Sequence, residues 1–268
     1  MMFLYLSVCA LVLVGARAGG ETPVGSVEFE QPTSDVELIS DVTVINDADI
    51  TKYHDCDAIL ASGFYKEAGA YRIYLNQSEP VVVYCQFELG SVSYVISIQK
   101  FGRVSFVQYY FYYEWGFGSI GGGDGWLGLR RIKALTDAGN NKLTVTMQDC
   151  NNVVTTLVWN HFSLGSPASR YTLYVNSYAS GNVLPDDLSH NNGMPFSTID
   201  RPDVNNCALN MRAGWWYNYC TYALPTGKFY PKCGPYTPLG RFYDGLFYSD
   251  WRGFGYSLKY FRMAISRD

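Results

Sequence analysis

The feature that most constrains this chain is a stretch of 25 residues, 196–220, whose composition suits neither a buried helix nor a buried strand. It reads FSTIDRPDVNNCALNMRAGWWYNYC. Asp, Asn, Pro and Gly recur through it, and these residues favour turns. Cys207 and Cys220 lie 13 positions apart with three consecutive aromatic residues between them, and clustered aromatics in irregular structure are typical of recognition surfaces. The stretch predicts a disulfide-braced loop that presents a binding pocket.

The start of the chain has the pattern of a secretory signal at residues 1–18. Residues 3–14 are almost entirely apolar, and Ala16-Arg17-Ala18 supplies a small-x-small cleavage pattern. About a dozen apolar residues are too few to cross the ~30 Å hydrocarbon core of a membrane. We therefore expect a secreted, extracellular protein in which an acidic arm, residues 19–52, precedes one domain, residues 53–268. The arm has eight acidic residues and no basic one between 19 and 51.

The charge of the chain argues against anionic partners, and its cysteine content indicates an oxidising compartment. Loss of Arg17 with the signal leaves 19 of the 20 basic residues against 24 acidic ones. A net negative chain is a poor partner for nucleic acid or for an anionic membrane surface. Cys9 also leaves with the signal, and six of the seven cysteines remain, an even number that suits three bridges in an oxidising compartment.

From about residue 53 the sequence predicts an α+β domain dominated by strands. Alternating or β-branched segments that predict strands are found at 81–85, 94–98, 142–149, 153–162 and 170–175. Short helices are predicted at 56–60 and 131–136. Cys56 and Cys85 lie 29 positions apart, so a bond between them would tie a helix start to a strand end.

No sequence motif predicts catalysis. The three histidines, His54, His161 and His190, have no metal-site or triad spacing. Residues 116–121 match GxGxxG, but more glycines follow where a dinucleotide site needs a helix. We interpret the match as a glycine-rich surface loop and predict that the protein is not an enzyme.

Over about 210 residues, this chain resembles the fibrinogen C-terminal domain found in ficolin- and tachylectin-like secreted lectins. The resemblance is carried by short sequence blocks that follow one another in the same order as in that family. The blocks are CDAIL at 56, Cys85, GFGSI at 116, WLGL at 126, FSTID at 196, NCA at 206, WWY at 215, Cys220, WRG at 251, YSLK at 256 and FRMAI at 261. The resemblance implies a central twisted antiparallel sheet with short helices, a small N-terminal subdomain and a loop-rich C-terminal subdomain that carries the binding site.

The resemblance also implies two disulfide bonds, Cys56–Cys85 and Cys207–Cys220. Cys150 and Cys233 lie outside the family pattern. They can form a third bridge within the chain, which requires Cα atoms within about 7 Å, or they can pair with other chains. The sequence leaves both alternatives open.

In ficolin-like relatives a small aromatic funnel next to the second cysteine accepts an acetyl group, because apolar walls suit the methyl and backbone N–H groups suit the carbonyl. The positions of this chain that match the funnel form the predicted ligand site. They are Met211, Tyr217, Tyr219, Cys220, Thr221, Phe242, Tyr243 and Phe254. Thr221 stands where relatives commonly have a histidine.

Relatives bind calcium in the loop after FSTID, through paired aspartates and backbone carbonyls. Here the loop is about three residues shorter, and Pro202 and Val204 stand where the liganding aspartates belong. Asp200 and Asp203 remain as candidate ligands for a weak site, because calcium prefers six to eight oxygen ligands. The alternative is that both carboxylates form turns and caps without a metal, so we expect no obligatory cofactor.

Two functions remain open from the sequence. One is a secreted lectin-like protein that binds acetylated or related glycans or glycoproteins, in innate immune recognition. The other is a protein-binding matrix or signalling module that uses the same surface. A glycan is expected on Asn76, in the sequon Asn76-Gln77-Ser78. Clustering in a homo-oligomer would raise the avidity of single weak sugar sites, and the sequence does not decide whether one forms.

Overall fold

The computed structural model describes residues 53–63, 67–75, 80–88, 91–238 and 240–267. The predicted signal, the acidic arm and Asn76 lie outside these residues. The helices are α1 (Cys56–Ala61), α2 (Tyr110–Trp115), α3 (Leu129–Asp137), α4 (Cys207–Met211) and α5 (Ser249–Arg252). The strands are β1 (Gly69–Ile73), β2 (Val81–Glu88), β3 (Ser91–Gln99), β4 (Phe117–Ser119), β5 (Asp124–Trp126), β6 (Lys142–Gln148), β7 (Val154–Leu164), β8 (Leu173–Tyr178), β9 (Ala223–Leu224), β10 (Gly234–Pro235), β11 (Phe247–Tyr248), β12 (Tyr256–Ser257) and β13 (Tyr260–Ser266).

A large antiparallel sheet forms the centre of the domain. Its main path runs β1-β2-β3-β13-β6-β7-β8, and β5 pairs with both β3 and β4. The last strand, β13, lies between β3 and β6, with Met263 opposite both Ser97 and Val145. Phe261, Met263 and Ile265 are buried, so alternation along this strand directs its apolar side chains to the core.

Short helices cover the core face of this sheet. In α3, Leu129, Ile132 and Leu135 are buried on one side, as the three- and four-residue spacing of an amphipathic helix requires. Asp55 caps the N-terminus of helix α1: its carboxylate accepts the Ala58 N–H at 2.7 Å and so satisfies a backbone donor of the first turn. None of the helices in the described ranges is long and apolar enough to cross a membrane.

The C-terminal part of the domain is rich in loops and holds only short strand pairs, β9 with β11 and β10 with β12. Two connections attach it to the turn between β6 and β7. Cys150 is bonded to Cys233 with their Cα atoms 5.8 Å apart, and the fully buried carboxylate of Asp149 accepts from Arg252 Nη2 at 2.5 Å. The predicted α+β fold, with its central antiparallel sheet and loop-rich C-terminal subdomain, is confirmed.

Candidate functional site

Aromatic side chains from three loops meet on the surface of the C-terminal subdomain. Tyr222 immediately precedes β9, Tyr243 lies before β11, and Phe254 lies between α5 and β12. The ring centroids of Tyr243 and Phe254 are 6.5 Å apart and nearly parallel, and those of Tyr222 and Phe254 are 6.1 Å apart. Tyr222 and Tyr243 are 45% and 42% exposed. We call these three residues the aromatic cluster.

A second layer of aromatic residues supports the cluster from beneath. Phe247 contacts Phe254 edge to face at 5.3 Å, and Tyr236 contacts Tyr243 in the same way at 5.9 Å. The Tyr236 hydroxyl accepts the Gly245 N–H at 2.7 Å, and burial raises the pKa of Tyr236 to about 12. Gly245 has to be glycine, because a Cβ there would lie 2.8 Å from the Tyr236 ring. The loop that carries Tyr243 is therefore held in place.

Asp244, beside Tyr243, is an internal hydrogen-bonding group. It is 1% exposed, and its Oδ1 accepts from the Tyr230 hydroxyl at 2.7 Å. Burial and this hydrogen bond raise the pKa of Tyr230. Because the carboxylate is buried and partnered, it presents no charge to a cationic ligand in the aromatic cluster.

The disulfide-braced loop predicted from residues 196–220 is present. Cys207 is bonded to Cys220 with Cα atoms 5.2 Å apart. Tyr219 and Cys220 both have positive φ, +50° and +69°, a conformation that costs residues other than glycine about 1–3 kcal/mol. The Asn218 N–H donates to the Cys220 carbonyl at 2.9 Å and helps to hold this turn. Tyr219 projects from it and is 85% exposed.

A histidine reaches the aromatic cluster from a distant part of the chain. His190 donates from Nε2 to the Asn218 carbonyl at 2.5 Å, and its ring lies 4.5 Å from that of Tyr222. Thr221, at the family's histidine position, instead donates to the Ala223 carbonyl at 2.6 Å. Imidazole chemistry is therefore present beside this turn although Thr221 replaces the local histidine.

The residues predicted to bind ligand separate into two groups. Tyr219 and Tyr243 are exposed, and Cys220, Phe242 and Phe254 are half-buried. Met211, Tyr217 and Thr221 are 4%, 3% and 4% exposed, so these three support the site from the interior and offer little surface to a ligand. Trp215 and Trp216 are fully buried, so these members of the aromatic triplet pack the subdomain and do not form the recognition surface that their clustering predicted.

Sequence reasoning missed Tyr222, Tyr236 and His190 as members or neighbours of the cluster. Tyr222 directly follows Thr221, a predicted site residue, and this adjacency could have identified Tyr222 from the sequence. His190 lies 28 residues from Asn218, to which it bonds, and no local pattern marks it.

The shortened loop after residue 200 has the geometry of a turn and a helix cap. Asp200 Oδ1 accepts the Tyr110 N–H at 2.8 Å and the Thr198 hydroxyl at 2.6 Å. Asp203 accepts three backbone N–H groups, from Asn205, Cys207 and Ala208, at 2.9–3.1 Å.

Backbone N–H groups occupy both oxygens of Asp203 and one oxygen of Asp200, so few carboxylate oxygens remain for the six to eight ligands that calcium prefers. Within the described ranges, no three or more His, Cys, Asp or Glu side chains converge to hold a metal.

Comparison with known proteins identifies the family. Residues 52–267 match the family model of the C-terminal globular domain of fibrinogen beta and gamma chains. The chain belongs to the fibrinogen C-terminal domain family. Such domains bind partners or build structures and do not catalyse reactions, so this chain is not an enzyme.

Individual relatives of this fibrinogen-related chain are varied. It is 34% identical to mouse microfibril-associated glycoprotein 4 over 223 residues, which cover 80% of this chain and 84% of that protein. Ryncolin-4 of Cerberus rynchops is 33% identical over 63% of this chain and half of its own length. Among solved structures, the fibrinogen-like globe domain of human ANGPTL2 is 33% identical with a TM-score of 0.74, covering 80% of this chain and 99% of that domain.

Another similar solved structure was determined with a peptide ligand. The lamprey fibrin D-dimer, complexed with the peptide Gly-His-Arg-Pro-amide, is 27% identical to this chain with a TM-score of 0.71, covering 80% of this chain and 73% of that one. Fibrinogen-like domains bind proteins or glycans.

Proposed function

We propose that this chain is a secreted recognition protein that binds acetylated or related glycans at the aromatic cluster, in innate immune recognition. The observation that carries the proposal is that Tyr222 and Tyr243 remain almost half exposed in a subdomain rich in aromatic residues. Rings that served only to pack the core would be covered.

The surroundings of the cluster suit an acetylated sugar. Aromatic faces accept the apolar side of a sugar ring and an acetyl methyl group. The turn at Tyr219 and Cys220, set by the disulfide to Cys207, lies next to Tyr222 in the chain and supplies backbone polar groups. The His190 ring lies 4.5 Å from that of Tyr222, and its hydrogen bond from Nε2 to the Asn218 carbonyl fixes its position. Apolar walls with a few fixed polar groups are the usual composition of a small-ligand site.

Retention of the purified protein on N-acetylglucosamine resin tests the proposal, with and without a chelator. We expect retention in both conditions, because the carboxylates of Asp200 and Asp203 are already used by backbone donors. Tyr243→Ala should weaken binding at least about tenfold, which corresponds to 1.4 kcal/mol.

The matched control for this variant is Tyr174→Ala on β8. Tyr174 is 45% exposed against 42% for Tyr243, so a similar aromatic area is removed at another site. Failure of the wild-type protein to bind under either condition, or equal loss in both variants, would contradict the glycan proposal.

The second candidate function is binding of a protein partner at the same surface. Val204 and Leu209 are 97% and 54% exposed, and both flank Cys207, which is bonded to Cys220 beside Tyr219. Exposed apolar side chains on the loop that the disulfide ties to Tyr219 add to the apolar surface that a protein interface needs. Capture of a protein from extracellular fluid after its glycans are stripped, lost with Leu209→Asp and Tyr243→Ala alike, would support this alternative.

Clustering of several chains would raise the avidity of either kind of site. Sedimentation of the purified protein measures whether it forms a homo-oligomer.

A further inference from the structure

A second cavity lies on the sheet, and it shares no residue with the aromatic cluster. Its volume is about 220 Å³, and β2, β3 and β13 form its floor. Tyr84 and Gln86 come from β2, Ile98 from β3, and Tyr260 and Arg262 from β13. Lys100 and Phe101 close one side. We call this cavity the sheet cleft.

The sheet cleft is cationic although the whole protein is acidic. Lys100 and Arg262 both line it. The facing carboxylate is Glu88, which lies 3.7 Å from Arg262 and is 59% exposed. Arg262 also donates to Gln86 Oε1 at 2.6 Å, and its buried Nε has no hydrogen-bond partner.

The acidic excess of the chain lies elsewhere. Eight of the 24 acidic residues fall within residues 19–51, which leaves 16 against 19 basic residues in 52–268. The net negative charge of the chain is therefore no argument against an anionic ligand at this part of the domain.

The loop at the edge of the sheet cleft is fixed by one buried carboxylate. Asp124 is 2% exposed and accepts four consecutive backbone N–H groups, those of residues 100–103, at 2.9–3.1 Å. The loop presents Phe101, which is 46% exposed. The cations of Lys100 and Arg103 lie 4.9 and 4.6 Å from the centre of that ring. Of these three side chains, Lys100 and Phe101 line the sheet cleft, and the fixed loop holds them in place, so that little ordering is needed on binding.

The position of the cleft selects a saccharide over an extended peptide. Strands β2, β3 and β13 are paired on both sides within the sheet, so no free strand edge remains to bond a peptide backbone. Exposed rings next to cations instead suit a sugar ring that carries an anionic group, because its apolar face can lie on Phe101 while its charge meets Lys100 and Arg262. We propose that the sheet cleft binds a sulfated or carboxylated saccharide.

Calorimetric titration of the full chain with O-sulfated maltotetraose tests this proposal. The probe carries no acetyl group, so the aromatic cluster is not its expected site. We expect saturable binding that weakens at high salt and is absent for unsulfated maltotetraose. Lys100→Gln and Phe101→Ser, both changes of exposed side chains, should each weaken binding about tenfold, because the first loses a charge-assisted contact and the second loses the aromatic face under the sugar ring.

Lys133→Gln is the control with the same change of charge, because Lys133 lies on α3, outside the sheet cleft, in an exposed pair with Asp137. It should bind like the wild type, as should Tyr243→Ala. Absence of binding, equal weakening in Lys133→Gln, or weakening in Tyr243→Ala would overturn the proposal. Equal affinity for a polyglutamate peptide of matched charge would show that the cleft selects charge and not a saccharide. These results do not depend on the N-acetylglucosamine experiment, so the two proposals can fail separately.

Discussion

Removal of the Cys150–Cys233 disulfide should be the most destabilising loss of a single bridge in this domain. The two cysteines are 83 positions apart in sequence. In the chain-entropy model a bond closing a loop of this size contributes about 4.5 kcal/mol at 25 °C. The other two bridges close loops of 29 and 13 positions, which correspond to about 3.6 and about 2.9 kcal/mol in the same model.

Thermal unfolding of the oxidised protein measures this order. For Cys150→Ser/Cys233→Ser we expect a fall in Tm of roughly 9–18 °C, since each kcal/mol shifts Tm by about 2–4 °C in a domain of this size. Both cysteines are half-buried, so the exchange of sulfur for oxygen adds little packing loss. Cys207→Ser/Cys220→Ser, with the shortest loop, is the comparison and should lose less, although Cys207 is fully buried and its replacement adds some packing loss.

Two results would refute the reasoning. One is a Tm for Cys150→Ser/Cys233→Ser equal to or above that of Cys207→Ser/Cys220→Ser, which would show that loop size does not govern these contributions. The other is a wild-type dimer on a non-reducing gel that disappears in the Cys150→Ser/Cys233→Ser variant. Such a dimer would show that these cysteines pair between chains, the alternative that the sequence left open.

Three further predictions follow from single residues. Burial raises the pKa of Asp187 to about 6, so the folded state binds this proton more tightly than the unfolded state. The free energy of unfolding should therefore fall by about 1 kcal/mol as pH rises from 5 to 7, and urea unfolding of Asp187→Asn should lack this component. Asp203→Ala should cost about 1 kcal/mol through the lost cap, and added calcium should leave the wild-type Tm unchanged; a calcium-dependent rise would contradict the capping role. Asn76→Gln should remove a glycan mass from secreted protein, whereas an unmodified wild-type peptide would show that the sequon is unused.

Local sequence patterns anticipated much of the fold. Alternation at 142–149 predicted β6, found at Lys142–Gln148, and the apolar spacing at 131–136 marked the helix found at Leu129–Asp137. These predictions succeed because side chains alternate along a strand and recur every three to four residues along a helix. The turn residues and cysteines of 196–220 indicated the braced loop for the same local reason.

The candidate site was only partly accessible from sequence. Tyr243 and Phe254 were identified by their matching positions in the family, but whether a matched residue faces solvent depends on what packs over it. Met211 and Tyr217 match the funnel positions equally well and are buried. His190 and Asp124 act through contacts with residues far along the chain, which no local period can reveal.

By itself the sequence determined the α+β class, strands β2, β3, β6, β7 and β8, helices α1 and α3, and the turn-rich character of the loop at 196–220. Tertiary structure alone decided that the last strand, β13, lies in the middle of the sheet, that Cys150 meets Cys233, and that one aromatic cluster and one cationic cleft remain open to solvent. The physical reason is that backbone preference and side-chain period act over a few residues. The solvent exposure of a side chain and the residues that it contacts are instead set by which distant segments the folded chain brings together.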